Sequence, residues 1–123
     1  MSAASLERTI TQEQIDAYAI ASGDHNPIHV DPAFAASTPF GGTIAHGMHI
    51  LALIGELMHE NRGDAWVTGG RMKVRFKAPT HPGDTVTASA AVAKDTVEAT
   101  EYAVRCSNER GDILIEGRAS VPK

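Results

Sequence analysis

The chain has 123 residues, 42% of them apolar and 21% charged, with a formal net charge of -4. That length suits one domain with its own core and leaves no room for a second, and the acidic balance argues against nucleic acid as a partner. A lone cysteine, Cys106, excludes an internal disulfide, and Met1 to Arg8 lack the apolar run of a secretory signal, so a reducing cytoplasm is the expected setting.

Leu6 to Ile10 reads as a short strand. Thr11 with Gln14 forms a capping box that opens a helix over Gln12 to Ala21, and Gly23 closes it. Ile15, Tyr18, Ala19 and Ser22 give that helix one modestly apolar face, suited to lying on a surface. A loop carrying Asp24, Asn26 and His29 follows, stiffened by Pro27. Asp31 and Pro32 then supply the cap and first residue of a brief helix to Ala36. Pro39, Gly41 and Gly42 mark an irregular loop before a long helix over about His46 to Glu60. That helix is apolar almost all round, which predicts burial in a core. Glu56 and His59 interrupt it, well short of a membrane span.

From Asp64 onward the expected period is two. Arg71 to Lys77 alternates basic and apolar residues as a half-buried antiparallel strand does, and the turn His81-Pro82-Gly83-Asp84 follows it. Thr85 to Lys94, Glu98 to Asn108 and Asp112 to Val121 read as three more strands, with Glu109-Arg110-Gly111-Asp112 as a hairpin turn. The chain is thus expected to be a single α+β domain over 1–123, with about five antiparallel strands wrapped around one long helix.

Two segments carry the chemistry. Gly23-Asp24-His25-Asn26-Pro27-Ile28-His29 mounts a carboxylate and an imidazole close together on a rigid loop, the residue types needed for general acid–base work. Gly41-Gly42-Thr43-Ile44-Ala45-His46-Gly47-Met48 ends where the long helix begins, so unpaired backbone N–H groups face a polarised oxygen there. Gly47 suits an oxyanion donor, because no side chain stands between its N–H and a ligand. Asn26 supports the loop or contacts the carboxylate, and His46 either contacts the ligand or makes a structural hydrogen bond. Read singly, Asp24 is a turn residue and His29 a structural histidine. It is the two segments together that point to catalysis.

His46 and His49 have a spacing able to ligate zinc, but no Cys pair or HExxH pattern accompanies them, so no metal is expected. Arg71, Lys73, Arg75 and Lys77 read as a solvated strand face, one or two of which would suit phosphates. Cys106 reads as a core residue.

In these residues the chain resembles the MaoC-like, (R)-specific enoyl-CoA hydratases of the hot-dog superfamily. The likeness runs through Tyr18 to His29, through Ala45-His46-Gly47-Met48, and through Phe76 and Pro79 to Gly83-Asp84. It implies a hot-dog fold, a homodimer with the site near its interface, catalysis by Asp24 and His29, and carbonyl binding by the Gly47 N–H; Asn26 and His46 are further substrate-binding candidates. It further implies no cofactor and no membrane partner; coenzyme A or an acyl carrier is the substrate's carrier. The alternatives are a 3-hydroxyacyl-ACP dehydratase, a thioesterase resting on Glu56, and a non-catalytic acyl-CoA-binding module. Gly55 stands where some members carry serine. Trp66, Tyr102, Met48 and Leu51 are candidates for lining the acyl pocket.

Overall fold

The computed structural model describes residues 3–123. In chain order its elements are β1 (Ala3–Thr9), α1 (Gln12–Ser22), α2 (Pro27–Val30), α3 (Pro32–Ala36), α4 (Gly47–Arg62), α5 (Asp64–Gly69), β2 (Arg71–Phe76), β3 (Thr85–Asp95), β4 (Ala99–Asn108) and β5 (Ile113–Pro122). The strands form one sheet in the order β1-β3-β4-β5-β2, and every neighbouring pair is antiparallel. Strands 3 to 5 are joined by hairpins, whereas α4 and α5 carry the chain from β1 at one edge to β2 at the other.

The local signals act as expected at the element ends. Thr11 accepts the Gln14 N–H while the Gln14 side chain accepts the Thr11 N–H, and Gly23 closes α1 in the left-handed region at φ 77°. Such a cap is worth about 1 kcal/mol. Asp31 caps α3 through Phe34 N, with Pro32 at its start.

The core lies between α4 and the inner face of the sheet. Ile50, Leu53, Ile54, Leu57 and Met58 recur at helical spacing and are buried against Val86, Ala88, Tyr102, Val104 and Val121, whose alternation puts them on that same face. Cys106 belongs to this cluster, and burial pushes its thiol up to about 12, so it stays protonated at neutral pH.

Three expectations are corrected. The long helix is not enclosed: Met48, Ala52, Glu56 and His59 lie on an exposed stripe, and Met48 is 60% exposed. The sheet covers only one side of it, so apolar residues on the other side are left open to whatever packs there. The stretch from Asp64 is a short helix rather than the start of period-two structure. Gly63, at φ 54°, breaks α4 and restarts the chain in α5. His29 sits on α2, a one-turn helix, not on a plain loop. Asn26 caps that turn through Ile28 N, and Pro27 opens it.

In the sheet Gly117 stands opposite Val74, with the β2 backbone close against it. A Cβ there would stand 2.1 Å from the Lys73 carbonyl oxygen and 2.7 Å from Val74 Cα. Backbone atoms cannot step aside, so Gly117→Ala is expected to lift β2 off β5 and cost about 3 kcal/mol. A thermal melt should register this as a drop of roughly 10 °C.

Candidate active site

Asp24 and His29 meet at the C-terminal end of α1. Asp24 follows the Gly23 cap, its N–H donates to Ser22 Oγ, and its Oδ1 accepts the Asn26 N–H at 3.2 Å. The carboxylate is thereby held while Oδ2 is left free, and the side chain is 55% exposed.

His29 is fixed more tightly. Its Nδ1 lies 2.7 Å from the carbonyl oxygen of Ile44, which can only accept, so Nδ1 carries a proton and, in the neutral ring, Nε2 is the nitrogen with the lone pair. That lone pair faces Asp24 Oδ2 at 3.9 Å. The separation is too long for a direct hydrogen bond and suits one water or hydroxyl touching both atoms.

The strip Thr43–Ala45 locks this arrangement to the rest of the fold. Ile44 N donates to Ile28 O at 3.1 Å, and Ala45 N donates to Thr80 O at 2.8 Å. Gln12, at the start of α1, donates to the His29 carbonyl at 2.8 Å and accepts from the buried Thr43 hydroxyl. Neither Gln12 nor Thr43 was signalled by the sequence. Their part is long-range, and only the fold brings position 12 to position 29.

Gly47 is the first residue of α4, where an N–H has no acceptor within the helix. Phe76 presses on it: a Cβ at Gly47 would lie 3.0 Å from Phe76 Cε1. Beside it opens an apolar cavity of ≈ 380 Å³ lined by Phe40, Ile44, Ile50, Phe76, Pro79 and Leu114 among others. None of Trp66, Tyr102, Met48 and Leu51 lines it. Tyr102 is instead in the core with its hydroxyl held by Arg62, and Met48 is on the uncovered stripe of α4.

The structure places the other two sequence-derived residues around the pair rather than at an open mouth. The Asn26 side-chain oxygen is taken up by the α2 cap. His46 is 3% exposed and lies beneath His29, with ring centroids 3.8 Å apart and planes at 22°. Its Nε2 donates to the Asp24 main-chain oxygen at 2.9 Å. His49 stacks on Tyr18, and its pKa lies below the ordinary imidazole value, chiefly through burial and then through neighbouring His46.

Asp24, His29 and His46 bring potential metal-ligating atoms within 4.8 Å of one another. The stacking argues against a shared ion. Imidazole lone pairs lie in the ring plane, and two nearly parallel rings cannot direct theirs to one point. One nitrogen of each ring is already committed, His29 Nδ1 to Ile44 O and His46 Nε2 to Asp24 O.

Two further positions bear on chemistry. A Cβ at Gly55 would meet nothing within 4 Å, so the space beside it is open. Glu56 lies nine residues after Gly47, which is about two and a half helical turns and hence the opposite face. It is ion-paired to Arg8 at 2.7 Å.

The antiparallel sheet packed on α4 is the hot-dog fold of MaoC-like proteins. The sequence profile described as "MaoC like domain" matches residues 2–110, and the chain belongs to that family. It is 47% identical to the 3-hydroxyacyl-thioester dehydratase Z of Mycobacterium tuberculosis over 88 residues, which are 68% of this chain and 58% of that protein. It is 32% identical to the 3-hydroxybutyryl-CoA dehydratase of Methylorubrum extorquens over 121 residues, 96% of this chain and 77% of that one. The solved (R)-hydratase of Aeromonas caviae superposes with a TM-score of 0.85 at 31% identity, covering 98% of this chain and 92% of that one.

Proposed function

We propose that the chain is an (R)-specific enoyl-CoA hydratase that adds water syn across a trans-2-enoyl thioester and, in reverse, dehydrates the (R)-3-hydroxyacyl thioester. The observation that carries this is the 3.9 Å gap between Asp24 Oδ2 and His29 Nε2, the ring nitrogen left open by the Nδ1 bond to Ile44, together with a helix-start N–H that can donate to an oxyanion. The names of the relatives support the substrate class.

A water held between the two side chains loses a proton to His29 Nε2 as its oxygen bonds to C3. The C2–C3 π electrons move onto the thioester oxygen, which the Gly47 N–H receives. When the carbonyl re-forms, C2 takes up the proton that His29 removed from the water, relayed across the gap through Asp24, so that both side chains return to their starting states. Oxygen and proton arrive from one side because acid and base share one side. The thioester oxygen, the base and the acid are all served by the chain itself, so the reading needs neither metal nor organic cofactor. The apolar cavity beside Gly47 would take apolar parts of the substrate.

The proposal extends to a homodimer in a reducing cytoplasm. Edge strand β2 and the apolar stripe of α4, with Phe76 at 55% and Met48 at 60% exposure, support a symmetric partner. No helix of the described residues is long and apolar enough to cross a membrane. Arg71, Lys73 and Arg75 stay exposed on β2 and suit the phosphates of a carrier, whereas Lys77 is held by Glu116 at 2.9 Å.

The test is to mix the protein with crotonyl-CoA and follow the conjugated enoyl-thioester absorbance together with free thiol. Absorbance should fall with no thiol released. Thiol release that survives Asp24→Asn but is lost in Glu56→Gln would instead make the protein a thioesterase.

A further inference from the structure

His46 occupies the N-cap of α4, yet its side chain makes no capping bond. Residues favoured at that position accept the N–H of the second or third helical residue. Here the ring turns away from the helix and lies under the catalytic pair. Its second nitrogen, Nδ1, is buried without a hydrogen-bond partner. Both features disfavour folding, so a purely structural role explains neither.

The ring's hydrogen bond and its stacked face both run to the site. Nε2 donates to the Asp24 carbonyl at 2.9 Å, and one face lies on His29 at 3.8 Å. The next residue along the chain is Gly47. One side chain thus touches the loop of the proposed acid and the ring of the proposed base, and its own backbone leads into the oxyanion donor. The titratable groups packed around it are His29 on α2, Asp24 in the loop, Tyr18 on α1 at a centroid distance of 4.8 Å, and His49 on α4.

We propose that His46 is the positioning residue of the site, held neutral with its proton on Nε2, so that Asp24, His29 and Gly47 keep one geometry through the reaction. The tautomer follows from the acceptor it meets, since a carbonyl oxygen cannot donate. The neutral charge follows from the reaction, since His29 becomes cationic when it takes the proton from water. A neutral π face at 3.8 Å stabilises that cation, whereas a second imidazolium would repel it. The kinetic part of this inference rests on the hydratase reading, but the tautomer part does not.

The experiment pairs two variants with one spectrum. His46→Ala removes ring and donor, and His46→Gln returns an N–H within reach of the Asp24 carbonyl. With crotonyl-CoA, His46→Ala is expected to lose about 100-fold in kcat with KM within about threefold, and His46→Gln to recover part of that loss. In the wild-type protein, long-range proton–nitrogen NMR at neutral pH should show the His46 proton on Nε2 alone and the His29 proton on Nδ1 alone. A His46→Ala enzyme within about threefold of wild-type kcat, or a loss that sits wholly in KM, overturns the proposal. So does a His46 ring protonated on Nδ1, a result that needs no variant to fold. If wild type turns over no enoyl thioester, the hydratase reading fails separately, and the spectrum alone decides the assignment of His46.

Discussion

Asp24→Asn is expected to lower kcat for hydration by about two to four powers of ten while leaving the melting temperature close to wild type. The side chain is 55% exposed and packs in no core, so its removal creates no cavity. The amide oxygen can still accept the Asn26 N–H, which preserves the loop, but the carboxylate proposed to share a water with His29 is gone. His29→Ala should lose activity to a similar degree and some stability besides, because the Nδ1–H bond to Ile44 goes with it; a neutral hydrogen bond is worth about 1 kcal/mol. The double variant should be little worse than the more damaged single one, since two groups acting on one water fail as a unit. Steady-state kinetics on the three proteins, with thermal melts beside them, check this. Two independent multiplicative losses would mean that the residues act at separate steps.

Gly47→Ala should separate catalysis from folding even more cleanly. Nothing in the backbone demands glycine there: Gly47 is absent from the positive-φ glycines. The added methyl meets Phe76, 3.0 Å away at Cε1 and 3.2 Å at Cδ1. Phe76 is 55% exposed and free to swing, so the fold survives. The methyl and the displaced ring then crowd the entrance to the N–H and to the cavity beside it. A loss of about 100-fold in kcat/KM is expected, in the range for one oxyanion donor, at a nearly unchanged melting temperature. Wild-type activity in Gly47→Ala would remove this N–H from the mechanism.

How far the sequence carries can be judged from the same residues. The capping box at Thr11, the Gly23 stop and the Asp31-Pro32 start are local signals, and each marks an element end in the structure. The alternation in Arg71 to Phe76 foretold β2 because one face of a strand is solvated. The helix α4 misled for the converse reason: apolar residues on all sides read as full burial, although the sheet covers only the Ile50–Leu53–Leu57 side. α5 was missed because Gly63 and Gly70 bracket only six residues, too few to show a helical period. In the site, Asp24, His29 and Gly47 were legible as residue types at a recognisable spacing. The hold of Gln12 on the His29 carbonyl, the Ile44 carbonyl that sets the tautomer, and the stacking of His46 are contacts between distant segments. No local pattern encodes them, and the Ile44 contact decides which nitrogen of His29 is left open for the proposed role of base.

The most direct test of the proposed acid–base pair is to hydrate crotonyl-CoA in D2O and determine the configuration of the product at both C2 and C3. The account predicts an (R) hydroxyl at C3 and a deuteron on the same face at C2, with both lost in Asp24→Asn. A deuteron on the opposite face, or an (S) alcohol, would contradict delivery of water and proton from one shared side.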